Sequence, residues 1–347
     1  MTRKVNIGGV IIGGGRPVAI QSMTNTDTAD VEASVAQIAA LQEAGCEIVR
    51  LSAYDIKSAR AFRAIKDQTS IPLVADVHFD YKIAIAAMEA GADKVRINPG
   101  NIGSEDKVRQ VVAAAKMHHV PLRVGANSGS IGKAYWDRPK HEALVESALE
   151  NVRMLEKEHF QDIVISLKSS SVPETIRACR RLHEICEYPQ HLGVTEAGIR
   201  ETSVIKSSMG IGALLVDGIG DTIRVSITGD PVEEVRVAKD ILRYSGVRSF
   251  GPEVVSCPTC ARTRIDIEAM ARRVGEMVKT IDVPLKIAVM GCAVNGPGEA
   301  RDADIGIAGG NGEGLLFIKG APYKKVKESE LFSAFQELLE KILAERA

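Results

Sequence analysis

Between residues 17 and 228 the chain repeats one grammar eight times, a short apolar run followed by a helical pattern. The runs are "PVAIQSM", "EIVRLS", "PLVADVH", "KVRINPG", "PLRVGAN", "DIVISLK", "HLGVTEA" and "DTIRVSIT". Each has strand length and sits between turn-forming residues. Among the helical stretches, "DVEASVAQIAALQEAG" opens on Asp30 and closes on Gly45, and "DYKIAIAAMEAG" repeats that punctuation up to Gly91. Strand–helix alternation calls for parallel strands, because a helix must carry the chain back before the next strand starts. Eight such units in about 250 residues are the content of a (β/α)8 TIM barrel. A doubly wound open sheet is the rival, but its nucleotide fingerprint is missing: "GGVIIGGG" precedes the first strand and opens no helix. The stretch "KVNIGGVIIGGG" reads instead as a hairpin capping the bottom of the barrel.

Near residue 247, after "YSGVRS", the pattern changes. A strand "EVVS", a helix from about Arg264 to Lys279, the strands "PLKIAVM", "DIGIAG" and "GLLFIKG", and the helix "ESELFSAFQELLEKILAERA" predict a small α/β domain over 247–347, following a barrel over 1–246. Composition narrows the function classes. A net charge of −1, with 45% apolar and 26% charged residues, gives no sign of a nucleic-acid or membrane-surface partner. No apolar run approaches the ~18 residues of a membrane span and the N-terminus lacks a signal-peptide core, so the expectation is a cytoplasmic protein. Its six cysteines then read as thiols or metal ligands rather than disulfides.

Barrel active sites lie at the C-terminal ends of the strands, so the polar residues that end each run carry the chemistry. Arg50, Arg96, Arg123, Lys168 and Arg224 lie in or just after strands two, four, five, six and eight of the barrel. Any one of them alone pairs most simply with a carboxylate such as Asp76 or Glu196. Five cations on separate strands cost too much desolvation to stay unpaired, and a phosphate or diphosphate ligand would pair them through forked guanidinium donors. Asp76 and His78 share one face of the third barrel strand, Glu196 follows the seventh, and Asn98 and Asn127 can hydrogen-bond hydroxyls. Lys168 also permits a different chemistry, that of a Schiff-base aldolase or lyase acting on a phosphorylated substrate beside a structural metal domain.

The second domain carries its own signal. "CPTC" supplies Cys257 and Cys260, and Cys292 follows at the end of another strand. A structural zinc would want a fourth Cys or His, yet all seven histidines lie at or before His191. A redox CxxC pair would leave Cys292 without a role. Three cysteines and no histidine favour an iron–sulfur cluster with an atypical fourth ligand, and Glu299 is the nearest oxygen donor in the same loop. Cys46, Cys179 and Cys186 sit in apolar helical contexts and read as core residues.

"SCPTCART" followed by "GCAVNGPGEA", joined to "QSMTNT", "VADVHF", "VRINPGN", "RVGANSGS" and "GVTEAG" in the barrel, closely resembles the 4-hydroxy-3-methylbut-2-en-1-yl diphosphate synthase family, in its flavodoxin-dependent two-domain bacterial form. The resemblance runs over nearly the whole chain. It implies a TIM barrel followed by a reductase-like cluster domain, and reductive ring opening and dehydroxylation of 2-C-methyl-D-erythritol 2,4-cyclodiphosphate in the non-mevalonate isoprenoid pathway. By the motif match, Arg50, Arg96, Arg123, Asn127, Lys168 and Arg224 would hold the cyclic diphosphate, with Asp76, His78 and Asn98 as further contacts. Glu196 would hydrogen-bond the reacting hydroxyl and supply a proton. Cys257, Cys260, Cys292 and Glu299 would hold a [4Fe-4S] cluster, with electrons drawn from flavodoxin or ferredoxin. The resemblance also implies a homodimer in which one chain's cluster domain closes over the other chain's barrel.

Overall fold

The computed structural model describes residues 1–127, 135, 137–292 and 300–346. The chain divides into two compact units, Met1–Arg248 and Ser249–Ala347.

The first unit opens on the antiparallel pair β1 (Val5–Ile7) and β2 (Val10–Ile12). Gly8 and Gly9 both have positive φ, the backbone that a two-residue hairpin turn of the primed type requires. A Cβ on Gly8 would lie 2.5 Å from Asp93 Oδ1, so glycine is needed there for space as well. Eight strands follow: β3 (Ala19–Met23), β4 (Ile48–Ser52), β5 (Leu73–Asp76), β6 (Lys94–Arg96), β7 (Leu122–Asn127), β8 (Ile163–Lys168), β9 (His191–Leu192) and β10 (Thr222–Ile223). They pair in parallel in the order β8-β7-β6-β5-β4-β3-β10-β9, and a parallel bridge between Ile165 and Gln190 joins the two ends. This is the expected TIM barrel.

The helices of this unit are α1 (Val31–Glu43), α2 (Ile56–Lys66), α3 (Tyr81–Glu89), α4 (Pro99–Ile102), α5 (Glu105–His118), α6 (Lys140–Lys157), α7 (Val172–Ile185), α8 (Arg200–Val216) and α9 (Pro231–Tyr244). Asp30 and Asp80 cap α1 and α3 as the sequence predicts, and Gly45 and Gly91 follow them with positive φ. The hairpin seals the barrel floor: Val5, Ile7 and Ile12 pack against Ala19, Ile48, Val74 and Val164, near the starts of β3, β4, β5 and β8.

The last two barrel strands are only two residues long, shorter than "HLGVTEA" and "DTIRVSIT" suggest. At Gly193, just past β9, a Cβ would sit 2.7 Å from both Arg224 O and Lys168 Nζ, so glycine is needed where the lysine passes.

In the second unit a five-stranded sheet runs β11 (Glu253–Ser256), β12 (Lys286–Met290), β13 (Ile305–Gly309), β14 (Glu313–Ile318), β15 (Ala321–Lys327), parallel over the first three strands and antiparallel over the rest. Helices α10 (Ile267–Val278) and α11 (Leu331–Arg346) supply Val274, Val278, Phe335, Leu338 and Leu339 to a core that includes Ile287, Val289, Ile305 and Ile307 of the sheet. Strand β15, "APYKKVK", escapes the sequence pattern because it is a mostly exposed edge whose lysines and Pro322 blunt further pairing. No helix among the described residues is long and apolar enough to cross a membrane.

Candidate active site: a cationic barrel mouth and three strand-end thiols

Successive side chains of a strand point to opposite faces, so Lys94 and Arg96 on β6, Arg123 and Asn127 on β7, and Ser166 and Lys168 on β8 project to the same side. Arg50, Asp76, His78, Arg96, Arg123, Asn127, Ser166, Lys168, Thr195, Arg224 and Ser226 line one cavity. The cavity measures about 190 Å³ and opens to solvent.

The cations there are unequally partnered. Asp76 accepts from Arg96 Nη1 at 2.9 Å and lies 3.5 Å from Arg50 Nε. Burial pushes the Asp76 carboxyl up, but Arg50, Arg96 and Arg123 outweigh it and hold the group well below the ordinary carboxylate range. Arg50 also directs Nε and Nη2 at the Met23 thioether, and burial lowers it to about 10. His78 sits between Asp76 Oδ1 (4.0 Å) and Arg96 Nη1 (3.3 Å). Arg224 makes a bidentate pair with Glu234, at 2.9 and 3.1 Å, and Ser22 Oγ and the Ile227 N–H complete that carboxylate.

Arg123 is the exception. It is 1% exposed, and its Nε and Nη1 have no hydrogen-bond partner among the described residues. Burial first, then Arg50 and Arg96, push its proton affinity well down. A guanidinium still keeps its proton at neutral pH, so this cost stays in the empty fold. Lys168 is 8% exposed and pairs with no carboxylate among the described residues, and burial followed by Arg123, Arg50 and Arg224 holds its amine well below the ordinary lysine value. Among the described residues that line the cavity or pair with its cations, five cations face the two carboxylates Asp76 and Glu234, a surplus of three positive charges when Lys168 is protonated. Two phosphoryl groups would answer that surplus.

Glu196 does not line the cavity; it is exposed and follows the lining residue Thr195 in the loop after β9, with φ at +54°. A non-glycine residue in this left-handed region is a strained backbone of the kind held at functional sites. Asn98 does not line the cavity; its Oδ1 accepts from Gly100 N at 3.2 Å and caps α4. The sequence reading missed Glu234. Its signal was a charge among the buried positions 234, 235, 238, 241 and 242, where the helical period of α9 calls for apolar residues.

In the second unit Cys257 follows β11 and Cys292 lies just beyond β12, at the same end of adjacent parallel strands. Gly291 N donates to Cys257 Sγ at 3.2 Å, and Arg264 N to Gly291 O at 2.8 Å ties the "CPTC" loop to the β12 loop. Cys260 is exposed, and hydrogen bonds from the Arg262 backbone and the Thr263 side chain lower its thiol pKa. Among the described residues no three His, Cys, Asp or Glu side chains are gathered closely enough to hold a metal ion. Glu299 lies outside the described residues. The donor chemistry nonetheless fits an iron–sulfur group, with three soft ligands, one of them biased toward thiolate, and a backbone N–H on sulfur. The remaining cysteines differ: burial pushes the Cys46 and Cys179 thiols up to about 12. Cys186 is half-buried.

The fold and site define a TIM-barrel protein with a buried cationic mouth, joined to a small α/β unit bearing strand-end thiols. Residues 2–239 match the GcpE TIM-barrel domain, and 253–341 match the GcpE protein C-terminal domain. The chain belongs to the GcpE family. It is 54% identical over 340 residues to the 4-hydroxy-3-methylbut-2-en-1-yl diphosphate synthase (flavodoxin) of Desulfotalea psychrophila, covering 96% of this chain and 93% of the relative. It is also 54% identical over 348 residues to the protein of that name from Caldanaerobacter subterraneus, covering 99% and 98%. Among solved structures, the dihydropteroate synthase of Yersinia pestis overlays 71% of this chain and 100% of its own, with a TM-score of 0.53 at 12% identity, a likeness of fold alone.

Proposed function

We propose that this chain carries out the reaction its relatives are named for: reductive opening of 2-C-methyl-D-erythritol 2,4-cyclodiphosphate to (E)-4-hydroxy-3-methylbut-2-enyl diphosphate and water, with two electrons from flavodoxin. The observation that carries the reading is the pair of buried nitrogens on Arg123 that have no partner among the described residues, with Lys168 likewise without a carboxylate there. In this reading residues 1–246 bind the cyclic diphosphate. Arg123 and Lys168 take phosphoryl oxygens from the base of the mouth, while Arg50, Arg96 and Arg224, already fixed by Asp76 and Glu234, clamp the rest. Asn127, Ser166, Thr195 and Ser226 orient the substrate by hydrogen bonds, and water is excluded where they close on it. Glu196 supplies a proton from its carboxyl to the departing hydroxyl, which leaves as water.

Residues 247–347 carry the cluster ligands Cys257, Cys260, Cys292 and Glu299. The [4Fe-4S] group they would hold supplies electrons singly. The working species is a cytoplasmic homodimer. The test is anaerobic incubation of the iron-reconstituted chain with reduced flavodoxin and the cyclodiphosphate. Formation of the allylic diphosphate is expected, and its absence from protein with an intact four-iron spectrum would refute the reading. The Schiff-base alternative at Lys168 leaves the three strand-end thiols without a part, and borohydride trapping of substrate on Lys168 would revive it.

A further inference from the structure

Beneath the mouth lies a layer that substrate binding leaves unused. TIM barrels usually fill this level with branched apolar side chains. Here it holds Gln21 of β3, Lys94 of β6, His191 of β9 and Thr222 of β10, all buried. Lys94 is 0% exposed and lies one pleat below Arg96 on the same face of β6. Its Nζ donates to one neutral acceptor, Gln21 Oε1, at 3.1 Å. Gln21 Nε2, His191 Nε2 and the two Arg123 nitrogens beside this layer have no partner among the described residues.

A buried ammonium with one neutral acceptor, facing guanidinium groups, is the situation in which lysine sheds its proton. Burial first, then Arg123 and Arg50, hold Lys94 well below its ordinary value. The groups around it cannot adjust in its place. His191, whose Nδ1 lies 2.8 Å from Thr222 Oγ1, is itself held neutral by burial and by Lys168, Arg123, Lys94 and Arg50. Arg50 and Arg123 feel Asp76, Arg96 and Arg224, and Arg50 also feels Glu234. The arginines keep their protons throughout. Among the described residues Lys168 on β8 is the one other amine under the same pressure.

We propose that Lys94 is a charge-setting positioning residue of the anion site, neutral beneath the empty mouth and protonated from solvent when an anion settles on Arg123 and Arg50. The inference rests on reading the mouth as an anion site and adds a group that never touches the ligand. An anion above the guanidinium groups offsets the repulsion that kept Lys94 uncharged. The new ammonium then returns the favour by strengthening the field that holds the anion.

The experiment is calorimetric titration of the full-length chain with sulfate, and separately with the cyclodiphosphate, in buffers of different ionisation enthalpy. Neither anion changes charge over about pH 6 to 9, so the proton count belongs to the protein. Wild-type chain should take up protons on binding, with affinity falling about tenfold per pH unit for each proton taken up. Lys94→Met, close in shape and without charge, should bind with a smaller uptake and a flatter pH profile, a change that lost packing alone would not produce. Lys168→Met at saturating anion should keep the share due to Lys94, and it decides the matter if Lys94→Met does not fold. Equal uptake in wild type and Lys94→Met, or none in Lys168→Met, overturns the inference. If neither anion binds the wild-type chain, the anion-site reading itself fails and this inference falls with it.

Discussion

Replacing Arg123 with methionine should move two observables in opposite directions. Arg123 is a buried cation on β7 with two unsatisfied nitrogens, and it faces Arg50 and Arg96. In the empty protein Arg123→Met removes that repulsion and the two orphaned donors while keeping most of the volume. Exchanging buried charge for apolar side chains of similar size is commonly neutral or stabilising by about 1 to 4 kcal/mol. Asp76 keeps Arg50 and Arg96, so the neighbouring pairs survive. With the diphosphate bound the sign reverses, because a charge-assisted hydrogen bond contributes about 1.5 to 3 kcal/mol. Losing one weakens Kd by about tenfold to a hundredfold. Calorimetry with the cyclodiphosphate and urea unfolding of the empty chain measure the two effects. An unchanged Kd in folded Arg123→Met would refute the binding role. A loss of several kcal/mol in stability would refute the claim that the nitrogens are unpartnered.

Lys94 and Lys168 have lowered pKa values in the fold and ordinary ones in the unfolded chain, so the unfolded state binds more protons from neutral pH up to about the ordinary lysine value of 10.4. Stability of the empty chain should therefore rise from neutral pH to about 8.5, above which the buried Cys46 and Cys179 thiols act in the opposite sense, and a flat or falling urea midpoint below that pH would contradict it. Cys46→Ala, Cys179→Ala and Cys186→Ala should leave iron content after reconstitution near wild type; loss of iron in any of them would change the ligand set. Glu299→Cys should keep four irons but lose most turnover, since thiolate holds soft iron more firmly than carboxylate does. Glu299→Ala should drift toward a three-iron EPR signal. Wild-type spectra and activity in both variants would remove Glu299 as a ligand.

The barrel was legible because its signal is periodic and local: eight apolar runs with capped helices between them call for parallel strands covered on both faces, and the missing nucleotide fingerprint set the doubly wound sheet aside. The cationic mouth was legible for a related reason, since strand-end polar residues at fixed positions in a barrel must converge. What escaped the reading depends on contacts distant in sequence. Ser22 and Glu234 meet across 212 residues, and only the packed α9 brings that carboxylate to Arg224. Asn98 carries a loop amide that can serve a ligand or a cap, and the difference lies in the backbone of α4 rather than in the residue. Lys94 and Gln21 looked like ordinary members of apolar runs, because a strand too short to show its alternation hides which face a lysine takes.

The unpaired charge at the mouth needs a source of stability elsewhere, and the floor of the barrel provides it. Val5, Ile7 and Ile12 of the hairpin close over Ala19, Ile48, Val74 and Val164, so the strands are anchored from below by apolar packing that owes nothing to the site. Fixing the strand starts fixes the register, and register alone sets Arg96 opposite Arg123 and Asn127 opposite Lys168. A softer floor would let the cations drift apart and relieve their repulsion, and the mouth would lose its preorganisation for an anion. Binding then returns stability by mass action, about 2.7 kcal/mol at a hundredfold excess over Kd. Strain at the top of the barrel and insulation at its base are therefore coupled: the first gives the anion its affinity, and the second keeps the empty site intact until the anion arrives.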